Sequence, residues 1–372
     1  MILTNCAACA APLAHNAPRC IRCHTRYCNK TCQHDHWRRG HKQMCKKIHR
    51  GGNAEQYHAD KKYKEAVAEA VEACAEDTKG QTCFICTQAL HWKTKEGLVR
   101  GCACRGTAGF AHVSCLAEQA KILMDEAEEN NLGEKARIER WMRWDFCGLC
   151  QQYYHGVVAC ALGWACWKTY VGRPEDSVRC LAMNLLGNGL HDAKHHEEAL
   201  PVREAMLATI RRSGGIEVSI LDAQNNLANT YGALGRFEEA LRMRRDVYSG
   251  HLKLHCEEHQ RTIMAANNYA MSLVKLERFQ EAKSLLIKMM PVARRVLGEG
   301  HELTLKMRFN YARALYLDTD ATLDDLREAV TTLECVARTY KRVFGKSHPE
   351  ARRVQGGMEE ARAKLAARDV VL

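Results

Sequence analysis

The segment "YCNKTCQHDHWRRGHKQMC" (Tyr27–Cys45) determines how the first part of the chain folds. It places three cysteines and three histidines within nineteen residues. A stretch this short and polar cannot bury a hydrophobic core large enough to fold alone. Thiols and imidazoles are the donors that zinc prefers, and a structural zinc ion can replace such a core.

The spacing of donors around this segment predicts two metal sites. The donors form four pairs: Cys6-x2-Cys9, Cys20-x2-Cys23, Cys28-x3-Cys32 and His41-x3-Cys45. Eight donors suffice for two tetrahedral zinc sites. Pairs with two intervening residues suit tight knuckles, and pairs with three place both side chains on one face of a helical turn. We therefore expect two knuckles and two short helices. His36 competes with His41, but only His41 has Cys45 four residues later.

These residues resemble the MYND zinc fingers. The shared positions are Tyr27, Cys28, Cys32, Gln33, Trp37, His41 and Cys45, together with the two upstream C-x2-C pairs. The resemblance implies interleaved ligands: Cys6, Cys9, Cys28 and Cys32 for one zinc, and Cys20, Cys23, His41 and Cys45 for the other. It also implies a module that binds other proteins.

A second set of eight donors follows between residues 83 and 150. Its pairs are Cys83-x2-Cys86, Cys102-x-Cys104, His112-x2-Cys115 and Cys147-x2-Cys150. PHD and RING-CH fingers both use seven cysteines and one histidine in this order. The C-x-C pair and the seven residues before the histidine resemble the RING-CH fingers, as do "CFIC", "CACRGTAGFAHVSCL" and "FCGLC".

The RING-CH resemblance implies two further zinc sites and a function. Its ligand sets would be Cys83, Cys86, His112 and Cys115, and Cys102, Cys104, Cys147 and Cys150. The segment before Cys147 is longer than is usual in that family, and it reads as two helical pieces broken near residues 131–133.

RING-type fingers dock a ubiquitin-conjugating enzyme and position its thioester, so the resemblance implies no catalytic residue in this chain. Ile85, Trp141 and Trp144 are the predicted partner-binding residues, with packing inside the module as the alternative. Gln151 stands where active ligases often carry a basic residue.

The second half of the chain repeats with a period near 42 residues. Three markers recur: Asn226, Asn268 and Asn310; Ala199, Ala240, Ala282 and Ala329; and His259, His301 and His348. A period of this length predicts a stack of helix pairs. The pattern resembles tetratricopeptide repeats of the kinesin-light-chain type over residues 180–350. The recurring His and Asn are expected to cap helices and tie turns together. The array would offer a groove for a partner peptide, or act as a spacer.

Composition restricts the compartment and the partners. The net charge is +11, and residues 1–50 contain ten Lys and Arg but one acid, Asp35. No set of aromatic residues accompanies this charge, so a solvated face is favoured over nucleic-acid binding. The beginning of the sequence lacks the pattern of a secretory signal, and the apolar run 157–167 is too short to span a bilayer. We expect an intracellular protein without a membrane span, whose clustered thiols hold metal.

The sequence thus predicts a mainly α protein with two small zinc modules before an α-solenoid. The predicted domains are a MYND-type finger (1–50), a helical linker (51–78), a RING-CH-type finger (79–155), a connector (156–179) and helical repeats (180–372). Four zinc ions are expected, two in each module. The predicted function is a ubiquitin ligase whose partners are a ubiquitin-conjugating enzyme and proteins bound by the MYND finger and repeats. The alternative is a non-enzymatic scaffold.

Overall fold

A computed structural model describes residues 4–14, 16–174, 177–343 and 349–369. Within these ranges the chain is mainly helical, and its extended pairing consists of isolated bridges. The predicted fold class is confirmed. His348, one of the three recurring histidines, lies outside the described residues.

The chain divides into two compact units, residues 1–215 and 216–372. In the first unit the helices are α1 (Lys30–His36), α2 (Lys42–Arg50), α3 (Ala54–Ala73), α4 (Val113–Glu129), α5 (Glu134–Trp141), α6 (Gly156–Tyr170), α7 (Ser177–Asp192) and α8 (His196–Arg212). A π-helical turn (Trp37–His41) joins α1 to α2, and a 3₁₀ turn (Met142–Trp144) follows α5. The predicted helical linker corresponds to α3, and the predicted break in the insert separates α4 from α5.

Helix α6 forms the core of the first unit. It packs against α3, α4 and α7, and most of its side chains are buried. Helices α6 and α7 approach closely because Gly163 and Gly189 lie at their contact. A Cβ atom on Gly189 would stand 2.5 Å from the carbonyl oxygen of Ala159. The segment predicted as a connector is therefore a buried helix that holds α3 and α7 together.

The second unit is a succession of helices that pack in chain order. They are α9 (Glu217–Ala233), α10 (Phe237–His255), α11 (Gln260–Lys275), α12 (Phe279–Leu297), α13 (Glu302–Tyr316), α14 (Leu323–Val343) and α15 (Pro349–Asp369). The recurring alanines Ala240, Ala282 and Ala329 are buried where helices approach closely. Small side chains at one repeated position thus set the spacing of the helix pairs.

The recurring polar residues have two structural roles. His259 and His301 precede α11 and α13, and the Nδ1 atom of each accepts a hydrogen bond from the backbone N–H two residues later, at 3.2 Å. These two histidines cap helices, as predicted. Asn268 and Asn310 instead donate to asparagines one repeat earlier, Asn225 and Asn267, at 3.1 and 3.0 Å. The asparagines therefore join successive repeats and cap no helix.

Candidate functional site

The four C-x2-C pairs adopt one common backbone turn. The first cysteine of each pair donates its N–H to the carbonyl five residues later, at 2.8–3.0 Å. The residue four positions after the first cysteine returns a hydrogen bond to that cysteine's carbonyl and has a left-handed φ between 54° and 62°. The first cysteines are Cys6, Cys20, Cys83 and Cys147. These short-range bonds direct both thiols of a pair to the same side of the turn.

The first zinc module brings its eight donors into two groups. One group is Cys6, Cys9, Cys28 and Cys32, and the other is Cys20, Cys23, His41 and Cys45; within each, all donor atoms lie within 4.8 Å of one another. The Sγ atoms of Cys9 and Cys28 are 3.5 Å apart, and Cys23 Sγ is 3.3 Å from His41 Nε2. Tetrahedral coordination at zinc–sulfur distances of about 2.3 Å separates sulfurs by about 3.8 Å. The donor spacing therefore fits a zinc ion in each group.

The helices of this module differ from the prediction in one detail. The pair Cys28-x3-Cys32 does not share a helical turn, because Asn29 is extended and its side chain caps α1 by accepting from the backbone N–H of Cys32. Cys28 therefore precedes the helix. His41 and Cys45 do share a helical face, and Gly40, with φ of 122°, allows the kink that turns His41 inward.

His36 is not among the grouped donors. Its Nδ1 atom lies 3.0 Å from the hydroxyl of Tyr27, and its ring stacks on His41 with centroids 4.8 Å apart. Burial and the nearby Arg39 lower the pKa of His36, so its ring stays neutral at higher acidity than usual. The ring of His36 therefore packs against the ring of His41 and helps to hold it in position.

The second zinc module also brings its donors into two groups. These are Cys83, Cys86, His112 and Cys115, and Cys102, Cys104, Cys147 and Cys150. His112 directs Nδ1 toward the sulfurs of Cys86 and Cys115, at 3.3 and 3.6 Å, and its Nε2 lies 3.4 Å from the carbonyl of Ala89. Such a hydrogen bond on the second ring nitrogen fixes the tautomer of a metal-binding histidine.

The ionisation of the thiols provides a second test of whether a cation fits. Burial acts to raise the pKa of Cys6, but the backbone N–H groups of Cys9, Ala8 and Cys28 more than offset it and lower this pKa to about 6. By contrast, hydrogen bonding to the Cys9 and Cys6 thiols raises the pKa of Cys28 to about 12. Burial and then its thiol neighbours raise the pKa of Cys45 to about 12.

Each donor group of the second zinc module also contains one thiol whose ionised form is favoured. Backbone N–H groups outweigh burial and lower the pKa of Cys83 and Cys150, the latter to about 7. Clusters of close thiols cannot all ionise without a compensating positive charge. A divalent soft cation supplies that charge, so the four groups fit zinc.

The three predicted partner-binding residues have different environments. Ile85, at the tip of the Cys83 knuckle, is 36% exposed. Trp141 is half-buried, and its ring packs against those of Trp144 and Tyr170. Trp144 is 0% exposed, which favours the alternative that it packs inside the module. It is the last residue of the 3₁₀ turn, which packs against α4 and α6 because the long insert folds back over α6.

Sequence reasoning missed an exposed tryptophan beside Ile85. Trp92 is 67% exposed, and it stands on a turn that copies the zinc knuckles without their cysteines. His91 donates its N–H to the Glu96 carbonyl at 3.0 Å, and Lys95, with φ of 60°, donates back to His91 at 2.9 Å. The signal for this site was a tryptophan among lysines in "HWKTKEG", which is a poor sequence for a buried segment.

Ile85 and Trp92 line one wall of a surface groove. The groove has a volume of about 840 Å³, and α4 forms its opposite side with Ile122, which is 47% exposed. Lys93 and Lys121 lie among the apolar side chains. Exposed apolar residues gathered in one concavity are typical of a protein-binding surface.

Comparison with known protein families identifies both zinc modules and the repeats. The MYND finger model matches residues 6–45, and the RING-variant domain model matches residues 83–131. Two tetratricopeptide repeat models match residues 220–260 and 261–322. The RING-variant match ends before Cys147 and Cys150, which the fold brings to Cys102 and Cys104. The chain is thus a multi-module protein with a MYND finger, a RING-variant domain and tetratricopeptide repeats.

Two solved structures illustrate what the chain is similar to. One, from Podosopora anserina, is described as a kinesin light chain with nearly identical TPR-like repeats; it is 19% identical, with 62% of this chain and 97% of that chain covered and a TM-score of 0.42. BtubC (BKLC) from P. vanneervenii is 13% identical, with 69% and 92% covered and a TM-score of 0.38. No curated protein matches the sequence. Among the described helices, none has the length and apolarity required to cross a bilayer.

Proposed function

We propose that this chain is a ubiquitin ligase of the RING-CH type, with the sixteen grouped cysteines and histidines as ligands of four zinc ions. The observation that carries the proposal is the groove beside the second zinc module, where Ile85, Trp92 and Ile122 are exposed together. A RING-type finger acts by holding a conjugating enzyme, so its essential requirement is an accessible apolar surface next to rigid zinc knuckles.

The groove has features suited to such docking. Ile85 and Trp92 stand on adjacent tight turns whose backbone hydrogen bonds restrict their motion. Preorganised anchors lose little conformational entropy on binding. Ile122 on α4 completes a three-sided apolar contact. Lys121 pairs with Asp125, and Lys93 and Lys168 outnumber Glu118 among the other charged lining residues, which favours an occupant with acidic groups at its edge. The proposed occupant is a ubiquitin-conjugating enzyme.

A basic side chain from another segment lies beside position 151. The guanidinium of Arg143 lies 3.4 Å from the side-chain oxygen of Gln151. A positively charged side chain therefore lies beside the last zinc knuckle, and it is supplied by the long segment between Cys115 and Cys147. We propose that Arg143 takes the role that a basic residue after the last cysteine has in active ligases.

The MYND finger and the repeats would select the substrate. Both are protein-interaction modules by family, and the repeats carry the half-buried Asn225 and Asn268, which pair with each other at 3.1 Å. Amide side chains recognise the backbone of an extended peptide through hydrogen bonds.

Self-ubiquitination with a panel of conjugating enzymes tests the proposal. The wild type should form ubiquitin chains, and Ile85→Ala, Trp92→Ala and Arg143→Ala should each lose most of this activity while zinc content stays at four. Leu254→Ala is the matched control, since it removes an exposed apolar side chain from the second unit.

The alternative is a non-enzymatic scaffold with three binding modules. It is favoured if no conjugating enzyme supports ubiquitin transfer and none binds the wild-type chain in solution. In that case the groove beside the zinc module would serve another protein partner.

A further inference from the structure

The two donor groups of the first zinc module differ in their exposure to solvent. In one, which we call the buried group, all four donors are buried: Cys20, Cys23, His41 and Cys45. In the other, which we call the accessible group, Cys6 is buried, Cys9 is exposed, and Cys28 and Cys32 are also accessible to solvent. A small reagent dissolved in water can therefore reach the sulfurs of the accessible group and not those of the buried group.

Sulfur–sulfur distances are short in both groups. Cys9 Sγ lies 3.5 Å from Cys28 Sγ in the accessible group, and Cys20 Sγ lies 3.8 Å from Cys45 Sγ in the buried group. A disulfide needs about 2.05 Å, so either pair could be joined by a limited movement of its side chains. Distance alone does not separate the two groups, and accessibility decides which pair can react.

The chemistry that exposure permits is oxidation. Cysteines that hold zinc are thiolates, which is the nucleophilic form of the side chain. The Cys9 thiolate attacks an oxygen of hydrogen peroxide: an S–O bond forms, the O–O bond breaks and hydroxide leaves. The Cys28 thiolate then attacks the sulfur of this sulfenic acid: an S–S bond forms, the S–O bond breaks and a second hydroxide leaves. The two thiolates together lose two electrons, and the peroxide gains them.

Such a disulfide removes the accessible group as a metal site. Cys6 and Cys32 would remain, and two donors are fewer than the four that a structural zinc site uses. The buried group shares no donor with this pair and keeps all of its own. In the second zinc module every donor is buried or half-buried, so its two groups are also better shielded than Cys9.

We propose that the accessible group is an oxidation-sensitive zinc site, in which a peroxide converts Cys9 and Cys28 to a disulfide and one of the four zinc ions is released. The other three groups keep their zinc under the same conditions. The proposal rests on the proposed assignment of the zinc ligands, but it does not depend on ligase activity.

Zinc release and disulfide mapping test the proposal on the zinc-loaded full chain. A chromophoric chelator reports zinc released by stoichiometric hydrogen peroxide. We expect one equivalent to be released about tenfold faster than the rest, or more. Peptide mapping at that point should find Cys9 joined to Cys28, with the thiols of the buried group still reduced. Reduction with a dithiol and added zinc should restore four bound ions.

Two variants isolate the reacting thiol. Cys9→His replaces the exposed thiol by another zinc donor, so it should keep four zinc ions and lose the fast release. Cys256→Ser is the matched control, because it removes an exposed thiol that belongs to no donor group, and it should release zinc as the wild type does. Metal analysis before oxidation establishes the starting content of each protein.

The outcomes separate this proposal from the assignment on which it rests. Fewer than four zinc ions in the untreated wild type would contradict the ligand assignment. With four ions at the start, release from all groups at one rate would overturn the oxidation proposal alone. A first disulfide at any other pair of cysteines, or unchanged fast release in Cys9→His, would overturn it as well.

Discussion

The side chains of His91 and Thr94 close a zinc-knuckle turn with hydrogen bonds in place of a metal. The Nδ1 atom of His91 lies 2.8 Å from Thr94 Oγ1 and accepts the backbone N–H of Thr94 at 3.1 Å. The two residues occupy the positions that two cysteines hold in the other knuckles. This turn presents Trp92 at the edge of the groove, so its rigidity bears directly on docking.

Removing the hydroxyl of Thr94 should loosen the turn without disturbing zinc. In Thr94→Ala we expect a loss of about 1 kcal/mol of local stability. Conjugating-enzyme binding should weaken several-fold, because Trp92 then samples more orientations. Binding assays and metal analysis measure the two effects. Thr94→Ser, which keeps the hydroxyl that lies 2.8 Å from His91 Nδ1, should change both the turn's stability and binding little. Equal effects in both variants would contradict the role of the hydrogen bond.

Cys102→Ser should remove zinc from the second module only. Its sulfur is grouped with those of Cys104, Cys147 and Cys150, and a serine hydroxyl is a poor zinc ligand. We expect zinc content to fall below four, with hydrogen exchange accelerated across residues 83–150 and unchanged in α9–α14. Cys335→Ser, at a thiol outside every group, should keep four zinc ions. A loss of all helical signal in Cys102→Ser would contradict independent folding of the two units.

Gly189→Ala should destabilise the first unit. The added methyl would stand 2.5 Å from the Ala159 carbonyl oxygen and 2.9 Å from the Cys160 Cα, so α6 and α7 must move apart. Overpacking of this kind costs about 1–3 kcal/mol. Gly133→Ala is the control, because nothing lies within 4 Å of its Cβ position. Chemical denaturation measures both, and an unchanged midpoint for Gly189→Ala would show that the two helices are not in close contact.

Arg244 should be a principal stabilising residue of the second unit. It is buried, and it donates to Asn229 at 2.9 Å, to Ser272 at 2.6 Å and to the carbonyl of Asn268 at 3.2 Å. Burial lowers its pKa to about 10, so it remains charged at neutral pH. Arg244→Ala leaves these acceptors unsatisfied and should cost about 2–3 kcal/mol. Arg245→Ala, at an exposed position, should cost less than about 0.5 kcal/mol in the same denaturation experiment.

The junction of α10 and α11 should weaken in acid. His251 is buried, and its ring is the first of a stack that continues through His255 to His259. Burial lowers the pKa of His251 below its usual 6.5; Asp222 opposes this shift, and Arg261 and the two other histidines reinforce it. The folded state therefore takes up protons less readily than the unfolded state. Stability is full above pH 6.5 and declines as the pH falls below that value.

Hydrogen exchange of α10 and α11 tests this prediction when rates are corrected for intrinsic pH dependence. Protection should decrease between pH 7 and pH 5 in the wild type, and the decrease should be smaller in His251→Gln. A decrease of the same size in both proteins would assign the effect to other groups.

Short-range sequence patterns are sufficient to predict the knuckle turns and the helix pairs of this protein. The C-x2-C pairs specify the knuckle turns because the hydrogen bonds that close them span five residues. The period of 42 specifies the helix pairs because each repeat contacts only its neighbours. Spacing alone does not predict which donors share a zinc ion, because four pairs can be combined in several ways. The interleaved sets were instead expected from the resemblance to known families.

Tertiary structure alone decided the features that depend on distant segments. Trp144 is buried and Trp92 exposed because the long insert packs on α6, while the His91 turn projects beside the first knuckle. Arg19, Arg26, Arg173, Arg179 and Arg212 are separated by up to 193 residues in sequence, and the fold of the first unit brings them to one cavity between the first zinc module, α3, α7 and α8. Local hydrogen bonds and periodicity can be predicted from neighbouring residues. Exposure and charge clustering result from which surfaces the folded chain buries, and no local pattern contains that information.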